Sequence, residues 1–380
     1  MKKVYLDYAA ATPLDKRALE SMHPYLTADF YNPSALYHPA RRVKQALEAA
    51  RAQVAQVLGA KPPEIIFTAG ATESINLALR GLPGANGEIV TSAVEHEAVV
   101  AAAKASGHKV VVCPVEPSGL IDLSQLEKLL NQNTVALSIG YANSETGTIQ
   151  PLAKIAKMIK TAVKGFGHPI YFHSDATQAA NYLDLHVNRL GVDLLTLNGA
   201  KIYGPKQTGC LYIKNGVALQ PLIYGGGQEN GLRSGTENVA GIIGFAKALE
   251  LASGLRAKEA GRQQQLRDYL WHTLNPQLSG VRLNGDHAQR LPNNLNISIK
   301  KVNGETLVHY LDQKGVMVAT GAACSANKDT PSPVLAAMGL SSAQIDSSLR
   351  ITLGRPTTKS QVDYLIWQLV EAADYLREQG

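Results

Sequence analysis

A lysine stands at position 201 between two apolar runs, Leu194-Leu195-Thr196-Leu197 before it and Gly209-Cys210-Leu211-Tyr212-Ile213 after it, with the stiff Gly204-Pro205 turn close behind. An amine held at the end of a buried strand loses water, and desolvation lowers its pKa toward the range in which lysine acts as a Schiff-base nucleophile. Ser174-Asp175-Ala176-Thr177-Gln178 closes a second strand-like run, where the Asp175 carboxylate is placed to keep a pyridine nitrogen protonated. Ala69-Gly70-Ala71-Thr72-Glu73-Ser74 follows a third strand and opens a helix, so free backbone N–H groups and the Thr72 hydroxyl form a phosphate cradle. His96, in Val94-Glu95-His96-Glu97, follows a fourth strand with an imidazole suited to stacking on a planar ring or to exchanging protons. Each has an ordinary reading when taken alone: a snorkelling lysine, a helix-capping aspartate, a small-residue turn, a helix-start histidine. Together they supply amine, ring acid, phosphate site and ring face, the set that pyridoxal phosphate chemistry requires.

For these groups to meet, their strands must lie side by side with the carboxyl ends at one edge. The pattern predicts strands at 64–68, 88–91, 108–112, 134–139 and 170–173, with helices opening at Thr72, Glu95, Ser124 and Leu152. A short helix is expected over 14–22, and a longer amphipathic one carries Val43, Leu47, Val54 and Leu58 on one face, with Gly59 as its stop. This alternation predicts an α/β fold: a large domain over 14–254 with a mostly parallel sheet covered by helices on both faces, and sites at the carboxyl ends of strands. Past Thr236 the pattern predicts helices over 238–252 and 259–274. Short strands at 294–299, 316–319 and 349–353 and a last helix over 360–377 then make a smaller α/β domain over 255–380, with residues 1–13 packing against it.

Composition narrows the class. No apolar run approaches the ~20 residues needed to span a bilayer, and Asp7 interrupts the N-terminus before a signal-type segment forms, so a cytoplasmic protein without a membrane partner is expected. The three cysteines, Cys113, Cys210 and Cys324, form no Cys-x-x-Cys pair, and no metal site is expected. Cys113 and Cys210 sit in apolar runs as core residues. A net charge of +6 permits an acidic partner without demanding one, and no direct nucleic-acid binding is expected. Lys154, Lys157, Lys160 and Lys164 fall on one helical face opposite Ile155, Met158, Ile159 and Val163, as a solvated face does.

The chain resembles the cysteine desulfurases of the NifS/IscS type, in the class V aminotransferase branch of fold-type I pyridoxal phosphate enzymes. The resemblance runs nearly end to end, through Tyr5-Leu6-Asp7-Tyr8-Ala9-Ala10, Asn32-Pro33-Ser34, Gly70-Ala71-Thr72-Glu73-Ser74, Glu95-His96, Asp175-Ala176-Thr177-Gln178, Lys201-Ile202-Tyr203-Gly204-Pro205-Lys206, Gly225-Gly226-Gly227-Gln228-Glu229, Arg233-Ser234-Gly235-Thr236 and Ser348-Leu349-Arg350. It implies that Lys201 bonds the cofactor, Asp175 pairs with the pyridine nitrogen, His96 stacks on the ring and Gln178 lies near the phenolic oxygen. Thr72 and the Ala71 backbone would hold the phosphate, with Thr236 reaching in from a second subunit, so a homodimer is implied. Arg350 would bind the substrate carboxylate. Cys324, in the small-residue segment Thr320-Gly321-Ala322-Ala323-Cys324-Ser325-Ala326-Asn327, would be the thiol that takes sulfur from L-cysteine as a persulfide, on a mobile exposed loop, leaving L-alanine. His96 would carry the thiol proton.

Four positions depart from the family pattern. Ala200 replaces a histidine that helps bind phosphate, and Asn198, where serine is usual, stands as a replacement donor. Ser144 replaces an asparagine that contacts cofactor and substrate, and Gln228 stands where some members have histidine. The resemblance implies a sulfur-acceptor protein, either an iron-sulfur scaffold or a tRNA-thiolation enzyme. Members serving a scaffold usually carry a longer tail than one ending at Gly380, so both acceptors stay open. Alternatives at this stage are a selenocysteine lyase or another class V lyase and, because of Ala200 and Ser144, a non-catalytic paralogue acting as a binding or regulatory subunit.

Overall fold

The computed structural model describes residues 3–84, 86–321 and 331–379. Short β-branched and apolar runs bounded by turn residues become the strands: β1 (Val4–Tyr5), β2 (Ile65–Thr68), β3 (Glu88–Ser92), β4 (Lys109–Cys113), β5 (Thr134–Ser138), β6 (Tyr171–Asp175), β7 (Leu194–Asn198), β8 (Gly209–Ile213), β9 (Val281–Leu283), β10 (Asn294–Ile299), β11 (Val316–Met317) and β12 (Ser348–Thr352). The main sheet runs β2-β8-β7-β6-β5-β3-β4. Strands β3 to β7 are mutually parallel, and β8 lies antiparallel between β7 and β2. Helical crossovers cover both faces, so β3 and β8 are buried along their whole length. All the parallel strands therefore deliver their carboxyl ends to one edge.

The helix His38–Leu58 buries Val43, Leu47, Val54 and Leu58, and Gly59 stops it in the left-handed conformation at φ 64°. Two helices differ from the sequence expectation. The first runs over Lys16–Thr27 instead of 14–22, with Asp15 capping it and Pro24 inside. Pro24 brings no N–H, but its carbonyl takes the Ala28 N–H at 3.0 Å, so the last turn still closes. The second difference is larger: the helices expected over 238–252 and 259–274 are one helix of 36 residues, Val239–Leu274. The intervening Ser253-Gly254-Leu255-Arg256-Ala257-Lys258 contains one glycine and no proline, too weak a breaker to end a helix held by packing on both sides.

That helix joins two apolar cores. Phe245, Ala248 and Leu249 belong to the core beneath the main sheet, whereas Leu270 and Leu274 belong to a second core with Ile297, Leu311, Leu349 and Leu369. The second core lies under the antiparallel sheet β12-β10-β9. Val4 and Leu6 also enter it, because β1 pairs in parallel with β11. The four lysines of the helix Leu152–Ala162 and the turn after it are exposed, and Cys113 and Cys210 are buried. Among the described residues, no helix is long and apolar enough to cross a membrane.

Candidate functional site

Strand β6 ends on Asp175, and β7 turns sharply after Asn198 to reach Lys201. The turn is fixed by the Asn198 side chain, whose Oδ1 accepts the Ala200 N–H at 3.0 Å. Asp175 and Thr196 are register partners, so the acid and the amine leave neighbouring strands. Lys201 Nζ donates to the Ala10 carbonyl, and Gln178 Nε2 donates to the Ala9 carbonyl at 3.0 Å. Two predicted side chains thus converge on consecutive carbonyls of the N-terminal arm. The arm is itself clamped to the turn, because Thr12 Oγ1 donates to the Ala200 carbonyl at 3.0 Å and accepts the Tyr203 N–H at 2.8 Å. Asp175 Oδ1 accepts the Thr177 N–H at 2.9 Å, which leaves Oδ2 without a hydrogen bond among the described residues.

His96 caps the helix Glu97–Lys104: Nδ1 accepts the Ala98 N–H at 3.1 Å, so the proton of the neutral ring sits on Nε2. His96 is exposed. Beside it, Glu95 is buried and accepts from Ser92 Oγ at 2.5 Å and from the Gly140 N–H at 3.0 Å. Burial raises its pKa to about 7, and the Asp175 charge pushes the same way.

The turn before the helix Ala71–Arg80 departs from ordinary capping. Gly70 sits at φ 134°, and no side chain caps the first turn, so its N–H groups face the strand edge. A Cβ at Gly70 would lie 3.9 Å from Asn198 Oδ1 and from the Thr208 carbonyl, which places Asn198 against this turn. Thr72 is exposed there and Ala71 half-buried. Such a helix start favours an anion.

Arg350 approaches from β12. It is 2% exposed, its Nη2 donates to Asp7 Oδ1 at 2.8 Å and its Nη1 to the Ser144 carbonyl at 3.4 Å, and its Nε has no partner among the described residues. A buried cation with a spare N–H is suited to a carboxylate. Ser144 meets Arg350 through its backbone. Next to it, Glu145 is buried with its pKa raised by that burial, and Ser332 Oγ donates to its Oε2 at 2.6 Å.

Thr236 is exposed, and no hydrogen bond among the described residues joins it to the other site residues. Its loop is nonetheless pinned to the turn before the helix Ala71–Arg80: Arg233 Nε donates to Glu73 Oε1 at 3.1 Å, while Glu73 Oε2 accepts the Ala69 N–H at 2.9 Å. Deeper, Arg51 pairs twice with Glu229 at 2.8 Å, and Glu229 Oε2 accepts the Phe67 N–H of β2 at 2.8 Å. Cys324 lies outside the described residues. Burial raises the pKa of the Cys113 thiol to about 12 and pushes the Cys210 thiol further up, which makes both poor nucleophiles.

Sequence reasoning gave no role to Asp7, Glu95, Glu145 or Glu73. Asp7 and Glu73 stand inside quoted motifs, and a carboxylate facing an arginine motif was the signal to follow. Glu95 also stands in a quoted motif, but its neighbour His96 drew the role, and Glu145 lies between Ser144 and Thr146, where nothing local announces a buried acid.

A model of the aminotransferase class-V family matches residues 4–365. The chain is 44% identical over 383 aligned residues to the cysteine desulfurase IscS of Dictyoglomus turgidum, covering 99% of this chain and 96% of that one. A solved NifS-like protein superposes with a TM-score of 0.91 at 35% identity, over 98% of this chain and 100% of that one. SspA, solved in complex with cysteine, superposes with a TM-score of 0.79 at 35% identity, over 93% of this chain and 99% of that one. With near-complete coverage in sequence and in fold, the chain belongs to the aminotransferase class-V family, among its cysteine desulfurases of the NifS/IscS type.

Proposed function

We propose that this chain is a pyridoxal phosphate-dependent cysteine desulfurase that converts L-cysteine to L-alanine and passes the sulfur to Cys324. The observation that carries the reading is the convergence of Lys201 and Gln178 on consecutive carbonyls of one arm, beside the open Oδ2 of Asp175. The residues fit the cofactor: an uncapped helix start at Ala71 and Thr72 for its phosphate, Asn198 in place of the missing histidine, Asp175 for its ring nitrogen, Gln178 for its phenolic oxygen and the His96 ring for its face. When bound, pyridoxal phosphate supplies an electron sink for the charge left on the substrate Cα. The partner subunit's Thr236 completes the phosphate site.

Arg350 holds the substrate carboxylate through its free N–H, with Ser144 at the same edge. The Lys201 amine takes the Cα proton, and His96, whose Nε2 carries a proton, exchanges it with the thiol. The Cys324 thiolate attacks the substrate sulfur and the C–S bond breaks. L-alanine leaves and a Cys324 persulfide remains, so no external oxidant is needed. An iron-sulfur scaffold or a tRNA-thiolation enzyme then receives the sulfur in the cytoplasm. On this reading residues 14–254 bear the cofactor, and 255–380 with 1–13 form the smaller unit that brings Arg350 and Cys324 to it. The solved complex of SspA with cysteine supports the substrate.

The test is alanine and sulfide release from L-cysteine with a reductant, for the parent protein, Lys201→Ala and Cys324→Ser. Near-equal amounts of both products from the parent, lost in both variants, are expected. A cofactor-loaded parent that yields neither overturns the reading.

A further inference from the structure

Below Asp175 the sheet holds a polar chain that the reaction does not use. His173 is fully buried in β6, two residues before Asp175 and on the same face of the strand. Its Nδ1 lies 2.8 Å from Ser138 Oγ on β5, and its Nε2 lies 3.0 Å from Thr196 Oγ1 on β7. Ser138 and Thr196 are also fully buried. Ser138 is the register partner of His173, and Thr196 is the register partner of Asp175. Three neighbouring parallel strands are therefore tied side chain to side chain, one residue pair below the site's floor. The third strand leads directly to Lys201.

We propose that His173 is a positioning residue, a neutral crossbar that sets the spacing and the charge environment of Asp175 and Lys201. The inference rests on the reading of Asp175 as the acid that faces the cofactor's ring nitrogen. Backbone ladders fix strand separation but leave the strand ends free to tilt, and a ring bonded on both sides removes that freedom at the level where geometry matters. Neutrality is the second part of the role. An imidazolium two residues below Asp175 would draw its negative charge downward and away from the ring nitrogen. Each hydroxyl partner can donate or accept, so the neutral ring satisfies both its N–H and its lone pair. Burial, which disfavours the charged ring, supports the same state.

The variants are His173→Phe, which keeps an aromatic ring and severs both bonds, and His173→Gln, whose amide retains a donor and an acceptor. Both are studied as cofactor-loaded protein alongside the parent, per loaded subunit. With His173→Phe the pH midpoint of the bound-cofactor absorption band moves, and kcat falls by about tenfold, the lower end of the loss when outer-shell partners are removed at metal sites. KM for L-cysteine stays within about twofold, because the Arg350 pocket is untouched. His173→Gln recovers most of kcat and returns the band midpoint toward the parent. If His173→Phe does not fold, Ser138→Ala and Thr196→Val each remove one bond, and each is expected to move the midpoint part of the way. Nitrogen NMR of the apo-protein is expected to show one neutral His173 ring from pH 6 to 9. An unmoved midpoint in a folded, loaded variant overturns the proposal, as does a His173 ring that titrates in that range. Failure of the parent to load cofactor or form alanine instead overturns the underlying reading, and the apo-protein NMR still decides the neutrality of His173.

Discussion

At the scale of single residues, the buried charges separate by what compensates them. Among the described residues, Arg350 is hydrogen-bonded by one carboxylate, Asp7, and one backbone carbonyl, and removing Asp7 leaves a cation 2% exposed without its ion pair. Asp7→Ala is therefore expected to lower the unfolding free energy by about 3–5 kcal/mol, the usual result of breaking a buried pair from one side, measured by urea denaturation. Glu95 and His173 shift in ways that act oppositely on stability as pH changes. Burial pushes the His173 ring from 6.5 down to about 3, so between those values the unfolded chain binds the extra proton and stability rises with pH. His173→Gln is expected to flatten that rise, seen by comparing urea midpoints of variant and parent at pH 4 and pH 7. Burial raises Glu95 from 4.5 to about 7, so over that window the folded chain binds the extra proton and stability falls as pH rises. Glu95→Gln is expected to remove that decline in the same measurement. Opposite signs in the two variants distinguish these effects from a general acid sensitivity.

Elements show where sequence was readable. The Gly59 stop and the uncapped turn at Gly70 could be read because local backbone chemistry decides both, one through a left-handed glycine and one through a small-residue strand-to-helix turn. The helix Val239–Leu274 could not, because its continuity through Gly254 depends on two cores that hold its ends. The Arg350–Asp7 pair was hidden for a similar reason: its partners stand 343 residues apart, and only the pairing of β1 with β11 and the bridge from Asp7 to Thr352 bring them together. Sequence motifs named most of the groups proposed to hold the cofactor, while the carboxylates that bond to those groups or lie beside them emerged only from packing. Gly254 offers a direct check on the helix. It is exposed, its φ is not positive, and a Cβ there would meet nothing within 4 Å. Gly254→Ala is expected to stabilise the protein by roughly 0.5–1 kcal/mol, the helix-interior difference between the two residues. No gain in thermal or urea midpoint would mean that the chain breaks there in solution.

At the scale of the whole molecule, one chain exposes apolar side chains shortly before the loop that carries Thr236. Ile223 and Tyr224 are 41% and 77% exposed, and they precede the loop that ends in Thr236. Ion pairs from Arg233 to Glu73 and from Arg51 to Glu229, whose Oε2 also accepts the Phe67 N–H, tie that loop to the helix start at Ala71 and to β2. Exposed apolar side chains on a tethered loop, together with a Thr236 hydroxyl that has no hydrogen bond among the described residues, suit a second copy of the chain related by a two-fold axis. Tyr224→Asp is expected to convert a particle of twice 40.6 kDa to one of 40.6 kDa in sedimentation. The assignment of Thr236 to the partner's site predicts a complementation that no single-chain arrangement gives. Lys201→Ala removes a chain's own amine, whereas Thr236→Ala weakens cofactor retention in the neighbour by roughly tenfold, about the worth of one hydrogen bond to a charged group. In a mixed dimer, the chain with Thr236→Ala keeps its own Lys201 and receives an intact threonine from the other, so one of its two sites has parental affinity. The other site lacks both groups. Unfolding and refolding an equimolar mixture should therefore yield a fraction of sites that retain cofactor as tightly as the parent, a fraction absent from either variant alone. If Thr236 instead served its own chain, no mixture would contain an intact site, and the mixed sample would behave as the sum of its parts.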